Sequence, residues 1–274
     1  MMVRVLFTKG HGTGNDFVIL PDPDGALDLT GDLVRRLCDR RFGIGADGVL
    51  RVVRTAKHPD AADHAADAEW FMDYRNADGS IAEMCGNGVR VFTRYLLHHG
   101  LAEASAGGLP VATRAGVVRA VVDGDLISVH MTTPRVYAAS TATTGGFTVP
   151  GVAVDCGNPH LVCSLSAPLD TLDLTVAPAH DETLFPHGVN VEFVNPVGDL
   201  HVRMRVHERG SGETLSCGSG ALAVGAVTLR DAGLSAGVAT VDVAGGTLTV
   251  TATESGEWWL AGPAVLVATG EVTL

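Results

Sequence analysis

The sequence predicts an α+β protein made of two similar halves, each a mainly antiparallel sheet wrapped round one central buried helix. Three observations predict it. Short landmarks recur in the same order at nearly half the chain length. Val-rich strand-like runs are joined by short turns. Two apolar segments of helical length each begin just after a Cys-Gly pair.

The landmarks come first, because an internal repeat governs everything read afterwards. GNDFV at 14–18 has a counterpart in GNPHLV at 157–162, with Asn15 and Asn158 143 positions apart. Gly45 and Asp47 of GIGADGVL match Gly188 and Asn190 of HGVNVEFV at the same offset. Asn76 and Cys85 match Glu208 and Cys217, each 132 apart. The shorter last offset calls for a longer loop in the first half, and the polar, weakly periodic RTAKHPDAADHAADAEW at 54–70 supplies one.

Strands are expected at 3–8, 17–20, 49–54, 70–74, 111–122, 126–131, 152–155, 161–165, 191–194, 202–206, 239–243 and 247–253. The turns DGD at 123–125 and AGG at 244–246 suggest antiparallel hairpins. AASTATTGG, 138–146, reads as a flexible loop. A helix is expected over Asp32–Arg40 with Thr30 as its cap. GVRVFTRYLLHH at 88–99 reads as a second helix. GALAVGAVTL at 220–229 is apolar on every side and must be buried.

Bulk properties bound the function. The chain has 274 residues, 46 % apolar and 18 % charged, so a packed globular protein is expected. A net charge of −12 without a Lys/Arg cluster argues against nucleic acid or an anionic membrane as partner. No run is apolar for the roughly 20 residues a membrane span needs, and the first residues lack a signal-peptide core; a cytoplasmic protein is expected. Lys9 and Lys57 are its lysines, and neither sits in a motif that suggests a Schiff base. The five cysteines form no CxxC pair, so neither a disulfide framework nor a zinc site is expected.

A lone cysteine is commonly a small buried hydrophobe, and Cys38, Cys156 and Cys163 are read so. EMCGNGVR at 83–90 and TLSCGSGA at 214–221 differ, because each sets a cysteine at the start of an apolar helix. A helix start offers unpaired N–H groups and partial positive charge. A carboxylate can sit there, and a nearby thiol is expected to ionise more readily. Two thiols flanking one α-carbon could invert it, one removing a proton from one face while the other supplies a proton to the opposite face. His98 and His99 read as helix C-terminal residues, and His160 is the histidine in a repeated motif.

Together, GTGNDFV, RRFGIGADGVL, YRNADGSIAEMCGNGVR, GNPHLV, GVNVEFV and ERGSGETLSCGSGA resemble the diaminopimelate epimerase family over nearly the whole chain. The resemblance implies two pseudo-symmetric domains, 1–128 and 129–262, with a last strand at about 263–274 returning to the first and the active site between them. It implies a cofactor-independent epimerase of LL- and meso-2,6-diaminoheptanedioate in lysine and peptidoglycan precursor biosynthesis, without PLP and without a metal. Cys85 and Cys217 resemble the two acid/base cysteines. Gly86, Asn87, Gly218 and Ser219 resemble the positions whose backbone N–H groups hold the α-carboxylate. Glu208 suits the substrate's ammonium group and Arg209 a carboxylate. Asn15, Asn76, Asn158 and Asn190 resemble the contacts to the far amino-acid end, and His160 an assisting histidine beside the site. Gly48 stands where many members have Gln, and Ser219 where Thr is frequent. A homodimer is implied by the resemblance alone. The competing readings are a proline or hydroxyproline racemase of the same fold, whose members tend to carry His where this chain has Asn87, and a thiol redox protein. A phenazine-biosynthesis isomerase is disfavoured by the cysteine pair. The sequence assigns neither cysteine to a stereoisomer.

Overall fold

The computed structural model describes residues 4–273 and divides into two compact units. The first runs to Val129 and resumes at Pro263; the second is His130–Gly262. The strand expected to begin at Val3 starts, within the described residues, at Arg4.

In chain order the first unit comprises β1 (Arg4–Gly12), β2 (Asn15–Pro21), α1 (Gly31–Cys38), β3 (Gly48–Arg54), β4 (Trp70–Asn76), α2 (Gly86–His98), β5 (Leu109–Thr113), β6 (Gly116–Asp123) and β7 (Leu126–Met131). The second comprises β8 (Arg135–Thr144), β9 (Phe147–Asp155), β10 (Pro159–Ser164), β11 (Ala179–His180), β12 (Asn190–Gly198), β13 (His201–Glu208), β14 (Gly212–Thr214), α3 (Gly218–Asp231), β15 (Gly237–Val243), β16 (Gly246–Ala252) and β17 (Trp258–Pro263). The last strand, β18 (Val265–Thr273), pairs antiparallel with β1.

The repeat extends to the whole strand pairing of each unit. In the first, the neighbours run β18, β1, β2, β3, β4, β5, β6, β7; β2–β3 and β4–β5 are parallel and the other pairs antiparallel. In the second they run β8, β9, β10, β12, β13, β15, β16, β17; β10–β12 and β13–β15 are the parallel pairs, in the same places. Gly45 and Gly188, each just before the strand that follows a parallel crossover, both have φ of +80°, a left-handed conformation suited to glycine.

Each unit closes its sheet around one helix. α2 packs on β1 to β6 and β18, α3 on β9, β10, β12, β13, β15 and β16. Every position of α3 from Gly220 to Val227 is buried, as an all-round apolar helix requires. Thr30 caps α1 by accepting the Leu33 N–H. Among the described residues, no helix is long and apolar enough to cross a membrane.

Two local expectations are corrected. AASTATTGG is not a loop: residues 138–144 lie in β8, which pairs with β9 through a Gly145–Gly146 turn with both glycines at positive φ. Its alternation is set by Ala142 and Thr144 facing inward while Thr143 meets Thr148 across the hairpin, a small-residue pattern that hides a strand. The run 111–122 is two strands, broken at Arg114–Ala115 before Gly116 with φ +110°. The loop at 54–70 carries two short 3-10 turns and buries His58, Ala61 and Ala68 against the first unit's core.

Candidate active site

The first unit builds its site at the start of α2. Cys85 is the N-cap residue, in extended conformation, and its sulfur accepts the Gly88 N–H at 3.4 Å. A cap of this kind leaves the other first-turn N–H groups open to an anion. The Cys85 thiol donates to Asn15 Oδ1 at 3.6 Å, and the buried Asn87 amide donates to the same oxygen at 3.3 Å. Asn15 in turn donates to Asp47 at 3.0 Å. Asp47 and Asp16 are held by Arg40 at 2.7 Å each, and Lys9 bonds Asp16 and the Gly45 carbonyl. Burial would push the Asp16 carboxyl up; the bonds from Arg40 and Lys9 outweigh it and hold the group far below the usual carboxylate range. Asn76 closes β4 and donates to Ser80 at 3.0 Å, in the turn that leads to Cys85.

The second unit repeats the cap. Cys217 is the N-cap of α3 and accepts the Gly220 N–H at 3.4 Å; its sulfur also meets Ser219 Oγ at 3.7 Å. His160, fully buried, bonds Glu192 through Nδ1 at 2.7 Å and Asn158 through Nε2 at 3.1 Å. The Glu192 carboxylate lies so close that a side chain at Gly220 would meet its Oε1 at 2.6 Å and the Cys217 sulfur at 3.3 Å. Glu208 accepts from the Thr214 hydroxyl. The Arg209 N–H donates to Asn190 at 2.9 Å, and the exposed Arg209 guanidinium reaches the His187 carbonyl at 3.0 Å.

So the structure gathers Asn15, Cys85, Gly86 and Asn87 in one cluster, and Asn158, His160, Cys217, Gly218 and Ser219 around the start of α3, with Asn190 tied to Arg209. Asn76 bonds its own turn. One electrostatic expectation is corrected. The helix start was expected to ease ionisation of both thiols, yet at Cys217 burial, joined by the charges of Glu208 and Glu192, drives the thiol well above its ordinary value and outweighs the Gly220 N–H. Glu192 is itself pushed up, by burial first, although the His160 bond favours its charged form. Two residues escaped the sequence reading: Glu192, a carboxylate inside the apolar strand VNVEFV, and Arg90, a cation inside the apolar helix GVRVF. The legible signal for each was a charge at a position patterned for the core. Among the described residues, no group of three His, Cys, Asp or Glu side chains is placed to hold a metal ion.

Comparison with known proteins decides the family. The family pattern described as diaminopimelate epimerase matches residues 7–137 and 152–274. The chain belongs to the diaminopimelate epimerase family. Relatives bearing that name include one from Streptomyces coelicolor, 52 % identical over 99 % of this chain and 96 % of its own length. One from Thermobifida fusca is 51 % identical over 98 % of both. One from Corynebacterium glutamicum is 47 % identical over the full length of both. Among solved structures, a Bacillus anthracis phenazine biosynthesis protein of the PhzF family superposes with a TM-score of 0.75 at 18 % identity, covering all of both chains. A hydroxyproline epimerase from Agrobacterium vitis gives 0.66 at 17 % identity, over 99 % of this chain and 93 % of that one. At those identities the structures establish the diaminopimelate epimerase-like α+β fold alone.

Proposed function

We infer that this chain interconverts LL- and meso-2,6-diaminoheptanedioate, with Cys85 and Cys217 as the acid/base pair, and that it serves lysine and peptidoglycan precursor synthesis in the cytoplasm. The observation that carries the reading is the repeated cap: in a chain of this family, each unit sets a cysteine as the N-cap of its central helix, bonded to the N–H three residues on. The reaction needs a base on one face of the α-carbon and an acid on the other. A thiolate takes the α-proton, the electron pair spreads toward the carboxylate, and the second thiol returns a proton on the opposite face. The N–H groups of residues 86–87 and 218–219, left open by the caps, are suited to that carboxylate, whose negative charge grows in the transition state. The raised Cys217 thiol fits the proton donor for one direction of the reaction. Lys9 is committed to Asp16 and the Gly45 carbonyl, which disfavours a lysine Schiff base at this site.

In this account Glu208 takes the substrate ammonium, Arg209 a carboxylate, and Asn15, Asn76, Asn158 and Asn190 the distal amino-acid end, with His160 assisting. The protein acts without PLP, as a homodimer. Purified protein, reduced and freed of small molecules, is expected to convert LL-diaminopimelate to the meso form, with Cys85→Ala and Cys217→Ala each losing at least 1,000-fold (about 4 kcal/mol). Either variant turning over at the wild-type rate overturns the assignment, and size-exclusion chromatography tests the dimer.

A further inference from the structure

Arg90 is the largest fully buried side chain among the described residues. It lies on α2, five residues after Cys85, in a helix whose neighbouring positions Val89, Val91 and Phe92 are wholly apolar and buried. Its Nη2 donates to Thr13 Oγ1 at 3.2 Å and its Nε to the Pro263 carbonyl at 3.5 Å, while Nη1 is buried without a hydrogen-bond partner. Gly12 makes the room: a side chain there would meet Nη2 at 3.0 Å and the Asn87 carbonyl at 3.2 Å. A buried cation is normally matched by a carboxylate, and no ion pair is formed by Arg90 among the described residues. Burial lowers its guanidinium to about 10, and negative charge at Cys85 opposes that shift.

We propose that Arg90 is the counter-cation of the Cys85 thiolate, a positioning residue that fixes which cysteine of the pair rests as the base. The proposal rests on the reading of Cys85 as an acid/base group. Its guanidinium packs on the Gly12–Thr13 backbone, the turn that also delivers Asn15 to Cys85, so charge and geometry come from one side chain. The elements packed on α2 also carry Arg4, Lys9 and His11 on β1, Asp16 on β2, Arg51 and Arg54 on β3, Asp73, Tyr74 and Arg75 on β4, Arg119 and Asp123 on β6 and Glu271 on β18, with Arg40, Asp47 and Glu83 on the adjoining loops; Arg51 and Arg75 close on Asp73, Arg54 on Glu69 and Arg4 on Glu271. Lys9, Asp16, Arg40 and Asp47 close on one another, His11 accepts the Gly14 N–H, and Glu83 is exposed. Among the described residues, the second unit buries no arginine. The position five after Cys217 is Leu222, fully buried, and the charges acting on Cys217 are those of Glu208 and Glu192. The two thiols therefore differ: Cys85, whose proton points to Asn15 Oδ1 and whose ionised form Arg90 matches, is the one placed to act as base, and Cys217 the acid.

The test reads Cys85 without substrate, so it stands apart from the epimerase assay. In full-length protein carrying Cys217→Ser, the rate of iodoacetamide alkylation is followed from pH 5 to 10. Cys38 and Cys163, pushed up by burial to about 11 and about 12, and Cys156, pushed up further, stay silent. Adding Arg90→Met is expected to move the profile up by about one pH unit, a roughly tenfold slower reaction at pH 7, while Arg90→Lys restores most of it. Coincident profiles for Arg90→Met and its parent overturn the proposal, as does an equal loss in Arg90→Met and Arg90→Lys. Should Arg90→Met not fold, Thr13→Val and Gly12→Ala, which unpin and displace the guanidinium, are expected to give the same upward shift; profiles unchanged in both overturn the proposal.

Discussion

A single methyl group at Gly220 tests how tightly the second half-site is built. Gly220 lies in the first turn of α3, and a Cβ there would stand 2.6 Å from Glu192 Oε1. Even a close carbon–oxygen contact needs roughly 3.3 Å, so the carboxylate must retreat by about 0.7 Å. Its bond to His160, now 2.7 Å, would stretch past the useful range of about 3.2 Å. Loss of a buried bond to a charged group costs about 1.5–3 kcal/mol. Alanine in place of glycine returns up to ~1 kcal/mol of helix propensity. The net is a destabilisation of about 0.5–2 kcal/mol, a fall of a few degrees in the melting transition. Activity should fall further than stability, because His160 and Glu192 lie beside Cys217: kcat/KM is expected to drop at least tenfold, about 1.4 kcal/mol of barrier. Gly225→Ala is the control. Its Cβ would meet Val250 at 2.5 Å, an over-packing of about 1–3 kcal/mol on the same helix, away from His160. Stability is read by calorimetry and activity per folded molecule by the epimerase assay. Gly220→Ala retaining wild-type kcat/KM, or Gly225→Ala losing as much, would refute the reasoning.

Three further outcomes follow from the same structure. Asp73→Asn removes the fully buried carboxylate that Arg75 and Arg114 bond at 2.9 and 2.7 Å, with Arg51 at 3.6 Å, and should cost about 3–5 kcal/mol in urea unfolding at pH 7. Burial raises that carboxyl and the arginines more than offset it, so its net shift is downward; its stabilisation is present above pH 4 and is lost as the pH falls, which acid unfolding of the wild type checks. Cys38, Cys156, Cys163 and Cys217 all ionise above their ordinary value of 9.0 because they are buried. The unfolded chain sheds those protons first, so stability should fall as pH rises past 9, by up to about 1.4 kcal/mol per unit for each thiol; Cys38→Ala should flatten the slope by one thiol's share. Gly43→Ala would press a Cβ to 2.0 Å from the Arg36 carbonyl, an obstacle of backbone that cannot swing away, and should yield little soluble protein on expression.

Much of the fold was legible because the repeat is carried by residues with special backbone or capping duties. Gly45 and Gly188 keep their left-handed φ, and Cys85 and Cys217 their caps, whatever surrounds them. Strands with Val on the buried face read plainly, as in β3 and β12. β8 did not, since its buried face is made of Ala and Thr, which composition alone assigns to a loop. At the site, motif position named the two cysteines, the asparagines and His160, buried or exposed. It could not assign Glu192 or Arg90, whose roles depend on which groups share their burial, nor foresee that two carboxylates would raise the Cys217 thiol against its helix start. Those are sums over neighbours distant in sequence.

The two-base claim is tested most directly by solvent label at low conversion. In deuterated water with LL-diaminopimelate, a thiol carries one proton, so the acid on the second face delivers deuterium while the base on the first holds the substrate's protium. The meso product formed in the first few per cent of conversion should carry one α-deuterium, and the recovered LL substrate almost none. Deuterium entering recovered substrate as fast as product, or protium retained in the product, would mean that one group serves both faces and would contradict the assignment of Cys85 and Cys217 as partners.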